Sequence, residues 1–202
     1  MKVAFWNIIG LGEKYKEKYF NIIINKYEII CLTETWGADE KISNFDIPMG
    51  YKAFHHNRRN KHKRAKRNSG GILILYKKEL HNYLKIQNRE NENILWIKVD
   101  KKLISTGKNL MLGTVYISPI NSSIHKRDDI ILNSENTYNS LYEQISSFDA
   151  NDEILIGGDF NARTGNLKDF IEIEKNENNF IPLSEYFINE TFSKLRINQD
   201  RT

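Results

Sequence analysis

The sequence predicts a mixed α/β fold, with helices packed outside layers of sheet. Three observations predict it. Strand candidates outnumber helical ones, the two best helical segments each lead into a strand, and the apolar runs are short and rich in β-branched and aromatic residues. At 202 residues the chain has the length of one domain. Hydrophobic residues at 40% and charged residues at 28% are ordinary for a globular protein and exclude global disorder.

Taken in order, "KVAFWNIIG" reads as a buried first strand ending at Gly10. Residues 13–26 place Tyr15, Tyr19, Ile22, Ile23 and Lys26 at helical spacing, giving an amphipathic helix with one apolar stripe. "YEIICLTETW" is an apolar strand whose tip turns polar at Thr33-Glu34-Thr35. Residues 37–50 are loop-like, punctuated by Gly37, Pro48 and Gly50. "YKAFHH" alternates as a short strand, and a basic run follows, closed by Gly70-Gly71. "ILILYKK", "NILWIKVD" and "NLMLGTVYISP" are three further strands. Residues 124–148 read as a helix with Tyr138, Leu141, Tyr142, Ile145 and Phe148 on one face. "EILIGGD" is the last strand, and from about residue 166 the chain turns polar, rich in Asn and Glu.

The net charge of +4 and pI near 9.0 permit a polyanionic partner without requiring one. The single cysteine, Cys31, excludes an intrachain disulfide and a cysteine-rich zinc site, and its apolar surroundings point to a buried, reduced thiol. The apolar start "MKVAFWNIIGL" is interrupted by Asn7 and carries no small-residue cleavage site, so it reads as a strand and not a signal peptide. No run reaches the about 18 apolar residues of a membrane span. The expectation is an intracellular protein, nuclear or cytoplasmic, that is not secreted and has no membrane partner.

Four strands end in residues unlike ordinary turn formers: Asn7 after "AFW", Glu34 after "CLT", Tyr116 within "TVYISP", and Asp159 with Asn161 after "ILIGG". Each alone has a plain explanation: a turn cap, a surface acid, a core tyrosine, a Gly-Gly-Asp turn. Together they would place two carboxylates, two carboxamides and a phenol on a rigid platform. With no cysteine or histidine among them, such oxygen donors suit Mg²⁺ or Mn²⁺ better than Zn²⁺. A divalent cation with carboxylates and amides is a toolkit for phosphate ester hydrolysis.

In order, "FWNIIGL", "CLTETW", "SGGILIL", "GTVYISP" and "GGDFNARTG" resemble the endonuclease/exonuclease/phosphatase family, the fold of pancreatic deoxyribonuclease and of abasic-site endonucleases. The nearest resemblance is to the endonuclease domain at the N-terminus of non-LTR (LINE-type) retrotransposon polyproteins, over roughly residues 2–165. It implies a DNase I-like, four-layer α/β/β/α sandwich with its site at one edge of two packed sheets. It implies that Glu34 ligates the divalent metal, Mg²⁺ or Mn²⁺, assisted by Asn7. Asp159 would position the attacking water, Asn161 would hold the scissile phosphate, and Tyr116 would support the phosphate or leaving group from the other side.

The sequence also departs from that family, whose members end with further strands and a terminal Ser-Asp-His. Here His55, His56, His62, His81 and His125 all precede Asp159, and the end "SKLRINQDRT" is polar. The expectation is a single, incomplete domain over 1–202, missing its last strands, with its motifs in 2–165 and a poorly matched tail over 166–202. Loss of a transition-state donor commonly lowers rate about 10²–10³-fold, so little or no cleavage is expected from this chain alone. Exposed sheet edges would also make it marginally soluble, whereas a complete domain would be a monomer.

The basic run at 58–67 supplies Arg58, Arg59, Lys61, Lys63, Arg64, Lys66 and Arg67 with no acid among them. Such a run is either a solvated, nuclear-localisation-like patch or a loop gripping nucleic-acid phosphates beside the site. The leading functional expectation is metal-dependent nicking of one strand of DNA, leaving a 3′ hydroxyl for a reverse transcriptase domain in a parent polyprotein. The alternatives are a nucleic-acid-binding remnant without catalysis, and a phosphatase or phosphodiesterase of the same fold acting on inositol phosphates or lipids.

Overall fold

Eight strands and three helices make up the described part of the computed structural model, which comprises residues 1–37, 47–57, 70–88, 90–118 and 131–161. The basic run at 58–67 and the tail from 166 onward lie outside these residues. The strands are β1 (Val3–Asn7), β2 (Ile29–Thr33), β3 (Tyr51–His56), β4 (Ile72–Lys77), β5 (Leu84–Asn88), β6 (Ile94–Val99), β7 (Leu110–Tyr116) and β8 (Glu153–Asp159). The helices are α1 (Leu11–Lys14), α2 (Lys18–Ile24) and α3 (Ile131–Ser146).

Two four-stranded mixed sheets result, ordered β1-β2-β4-β3 and β5-β6-β7-β8. Each ends in a parallel pair: β1 with β2, where Asn7 sits opposite Thr33, and β7 with β8, where Tyr116 sits opposite Asp159. All other pairings are antiparallel.

Alternation along the central strands explains the layering. In β2, Ile29 and Cys31 pack between the sheets, while Ile30 and Leu32 face the side of α2. In β7, Leu110, Leu112 and Tyr116 face the first sheet, while Met111 and Val115 face α3. Strands covered on both faces must be apolar at every position, which is why "IICL" and "LMLGTV" show no polar alternation. The layers therefore run helix, sheet, sheet, helix, the sandwich that the family resemblance implies.

The helices bury other faces than their periodicity suggested. In α2 the buried pair is Phe20 and Ile24, four residues apart, while Tyr19, Ile22 and Ile23 are exposed. "KYFNIII" is apolar nearly all round, so spacing alone cannot choose a face; Phe20 does so by meeting Trp6 at 5.8 Å between ring centroids. In α3, Leu141 and Ile145 pack inward as expected, joined by Phe148 just past its end, but Tyr138 and Tyr142 are exposed. The anchor is Trp96 of β6, fully buried, edge-on to Phe148 and donating Nε1–H to Gln144 Oε1 at 2.8 Å. A buried aromatic of this kind removes about 150–250 Å² from water.

Strand β5 had no clear sequence signal, since only Leu84 and Ile86 alternate before a bulge against β6 breaks the pattern. Ahead of β8, Asp152 accepts hydrogen bonds from Lys98 Nζ at 2.7 Å and Asn109 Nδ2 at 2.9 Å. These donors, Lys98 first, hold its carboxyl below the usual carboxylate range. The clamp fixes where β8 starts against β7, with Glu153 opposite Leu110. All described residues belong to one compact unit, Met1–Asn161.

Candidate active site

The C-terminal tips of the two parallel pairs meet at one edge of the sandwich, joined across the seam between the sheets. Asn7 Nδ2 on β1 donates to Asp159 Oδ2 on β8 at 2.6 Å. The Tyr116 hydroxyl on β7 donates to Glu34 Oε1, just past β2, at 2.9 Å. Within each sheet the pairing of Asn7 with Thr33, and of Tyr116 with Asp159, closes the circuit. The five side chains singled out from the sequence thus share one edge, Asn161 joining through Asp159.

The backbone fixes their orientation. Asn7 Oδ1 accepts the Ile9 amide N–H at 3.2 Å, which commits the amide nitrogen to Asp159. Asp159 Oδ1 accepts the Asn161 N–H at 3.0 Å, so both carboxylate oxygens are engaged. Asn161 Nδ2 donates to the Ile117 carbonyl at 2.7 Å, tying the residue to the end of β7. One of its two amide N–H donors is therefore occupied, and among the described residues the other donor and the carbonyl oxygen are left for a substrate or an ordered water.

Two interlocked turns carry Asn7 and Glu34. The N–H groups of Ile8, Gly10 and Leu11 donate to the carbonyls of Thr33, Glu34 and Thr35 at 3.0, 2.8 and 3.1 Å. All four non-glycine residues with positive φ among the described residues lie at this edge: Ile9 at 49°, Glu34 at 54°, Trp36 at 56° and Asn161 at 45°. Such conformations are disfavoured for residues bearing a Cβ, and strain of this kind concentrates at functional sites.

Gly157 and Gly158 let β8 come close enough for the circuit to form. A Cβ on Gly157 would lie 2.5 Å from Cδ2 and Cε2 of Phe5 on β1, so the bare glycine lets the two sheets approach. Gly158 has φ 139°, and a Cβ there would lie 1.9 Å from the Val115 carbonyl oxygen.

Among the described residues no group of three or more His, Cys, Asp or Glu side chains gathers to hold a metal. The donors present are the half-buried Glu34 carboxylate and the Asn7 carbonyl oxygen. That set fits Mg²⁺, which takes oxygen donors and keeps several waters around one or two carboxylates. It does not fit Zn²⁺, which wants nitrogen or sulfur ligands.

Residues 4–171 match the sequence pattern of the Endonuclease/Exonuclease/phosphatase family. The chain belongs to that family. An AP endonuclease from Leishmania major shares its fold at 16% identity and a TM-score of 0.56, over 78% of this chain and 54% of that one. An AP endonuclease from Archaeoglobus fulgidus does so at 13% identity and 0.52, over 79% and 57%. A humanized D. rerio TDP2 matches at 13% identity and 0.52, over 82% and 64%. The chain therefore spans between about half and two-thirds of these structures. No curated protein sequence matches it significantly.

Within this endonuclease/exonuclease/phosphatase fold, three residues at the site had no sequence signal of their own. Phe5 read as an ordinary strand residue, although it sets the spacing of the sheets with Gly157. Thr35 read only as part of the polar strand tip and Asn57 drew no reading, although both are buried. No described helix is long and apolar enough to cross a membrane.

Proposed function

We propose that the chain is a nuclease domain that hydrolyses phosphodiester bonds of DNA with Mg²⁺ or Mn²⁺. The observation that carries this reading is the closed circuit of Asn7, Glu34, Tyr116 and Asp159 at one edge of the sandwich. The cation would be held by Glu34 and the Asn7 carbonyl oxygen, and when bound it would neutralise charge on the substrate phosphate. Asp159, both of whose oxygens accept hydrogen bonds from N–H donors, would position an attacking water and accept its proton. Tyr116 steadies Glu34, and the Asn161 carboxamide lies beside Asp159 to orient the substrate. Water can reach this edge, since Asn161 is exposed and Glu34 and Asp159 are half-buried.

DNA as substrate, and nicking of the non-LTR retrotransposon type, are supported by the wording of the five sequence blocks and by the basic run at 58–67. In that reading the nick leaves a 3′ hydroxyl for a reverse transcriptase domain of a parent polyprotein. A second reading, binding of nucleic acid without cleavage, is supported by the basic run at 58–67 alone, since such a run can grip phosphates with no need of a cation.

The test is nicking of supercoiled plasmid with Mg²⁺, beside the Glu34→Ala variant and an EDTA control. Slow conversion to open circles by the parent, absent from both controls, is the expected result. No conversion, together with salt-sensitive DNA binding, selects the second reading. Phosphate release from an inositol phosphate instead of nicking would move the substrate class away from nucleic acid.

A further inference from the structure

We infer that Asn57 is a positioning residue for Glu34, acting through the Thr35 hydroxyl. Asn57 follows β3 and is only 4% exposed, and Thr35 is 3% exposed. Asn57 Nδ2 and Oδ1, and Thr35 Oγ1, are buried without a hydrogen-bond partner among the described residues. They converge on one point. A Cβ on Gly71 would lie 2.6 Å from Thr35 Oγ1 and 3.2 Å from Asn57 Oδ1. A Cβ on Gly37, at the other end of the turn, would lie 3.0 Å from the same amide oxygen. The carboxamide is thus wedged between the turn that carries Glu34 and the glycine that opens β4.

A carboxamide brings two donors and two acceptor lone pairs, and burying them unpaired destabilises the protein in a way that an apolar side chain of equal size would not. The turn itself is held off its relaxed backbone, with positive φ at Glu34 and Trp36, while the Thr35 and Trp36 N–H groups donate to Gly71 and Gly70 at 3.3 and 2.9 Å. Thr35 directly follows Glu34. A shift of the strained turn backbone that brings the Thr35 hydroxyl onto the Asn57 amide also moves Glu34, its neighbour in that turn. Pairing of Thr35 with Asn57 and seating of a divalent cation on Glu34 favour the same arrangement of the turn. This rests on the reading of Glu34 as the cation's ligand.

The experiment titrates Mg²⁺ into the full chain, following tryptophan fluorescence, to which Trp36 in the turn contributes, and the melting temperature. Groups that orient a metal ligand typically change metal affinity by about 10–100-fold when removed. Asn57→Leu and Thr35→Val are each expected to weaken the Mg²⁺ midpoint at least tenfold, while the metal-free melting temperature holds or rises. The double variant should be no weaker than either single one, and Thr35→Ser should keep the parent midpoint. Thr35→Val, nearly isosteric, carries the test alone if Asn57→Leu does not fold. Unchanged midpoints, additive effects in the double variant, or a fall in metal-free stability that accounts for the weakening would overturn this inference alone. No response of the parent to Mg²⁺ by either readout would overturn the cation role of Glu34, and this inference with it.

Discussion

Replacing Gly157 with alanine tests whether the spacing of the two sheets sets the site. The new Cβ would stand 2.5–2.6 Å from three ring carbons of Phe5, where ordinary contact is 3.4–4 Å. The strands must part, or the ring must move, by about 1 Å, and overpacking of this kind typically destabilises by about 1–3 kcal/mol. The φ of Gly157 is not positive, so alanine fits the backbone and recovers about 0.4–1 kcal/mol through the unfolded chain. For a chain of this length the net loss, up to about 2.6 kcal/mol, lowers the melting temperature by up to roughly 10 °C. The same displacement stretches the 2.6 Å bond from Asn7 to Asp159, and misplacement by about 1 Å can lower a rate about 10²-fold. Thermal melts and plasmid nicking on the parent, Gly157→Ala and Gly157→Ala/Phe5→Leu decide the matter. The double variant, with a smaller side chain facing the new methyl, should recover part of both losses. If Gly157→Ala melts and nicks like the parent, close approach of β1 and β8 does not hold the site together.

Tyr116→Phe removes the hydroxyl that steadies Glu34. Stability should fall by about 1 kcal/mol, at the low end for a hydrogen bond to a charged group because Glu34 is half-buried. Chemical denaturation measures that loss, and the nicking rate should drop about tenfold or more if Glu34 is misplaced. The Cys31 thiol, fully buried, is pushed up to about 12 by burial. It should resist alkylation in the native protein at pH 8 and react once the chain is unfolded, as counted by mass spectrometry. Asp152→Asn tests the clamp before β8. The folded pKa of Asp152 lies below its ordinary value of 3.8, so the stability it adds is present at neutral pH and is lost as the pH falls below that value through the folded one. Urea melts at pH 7 should show the variant less stable by about 1–3 kcal/mol, and the gap should close in acid.

The strand tips at Asn7, Glu34 and Asp159 were legible in the sequence because each apolar run stops at a polar residue unsuited to a core, whereas Tyr116, buried between the sheets, was legible only in company with them. Their pairing was not legible, because Asn7 and Asp159 are 152 residues apart and Glu34 and Tyr116 are 82 apart. Nothing local records which tip meets which. The helix faces failed for the opposite reason: "KYFNIII" offers too many apolar residues, and packing against Trp6 made the choice. Buried polar groups such as Asn57 leave no periodic trace at all.

The sheets are contiguous in sequence, β1 to β4 from the first 77 residues and β5 to β8 from residues 84–159. The seam therefore divides residues 1–161 into two consecutive fragments, each carrying two of the four side chains of the circuit: Asn7 and Glu34 on one, Tyr116 and Asp159 on the other. A cut in the short helical turn Lys78–Tyr83 would leave neither fragment competent alone. Recovery of function on mixing them would then report reassembly of the sandwich directly.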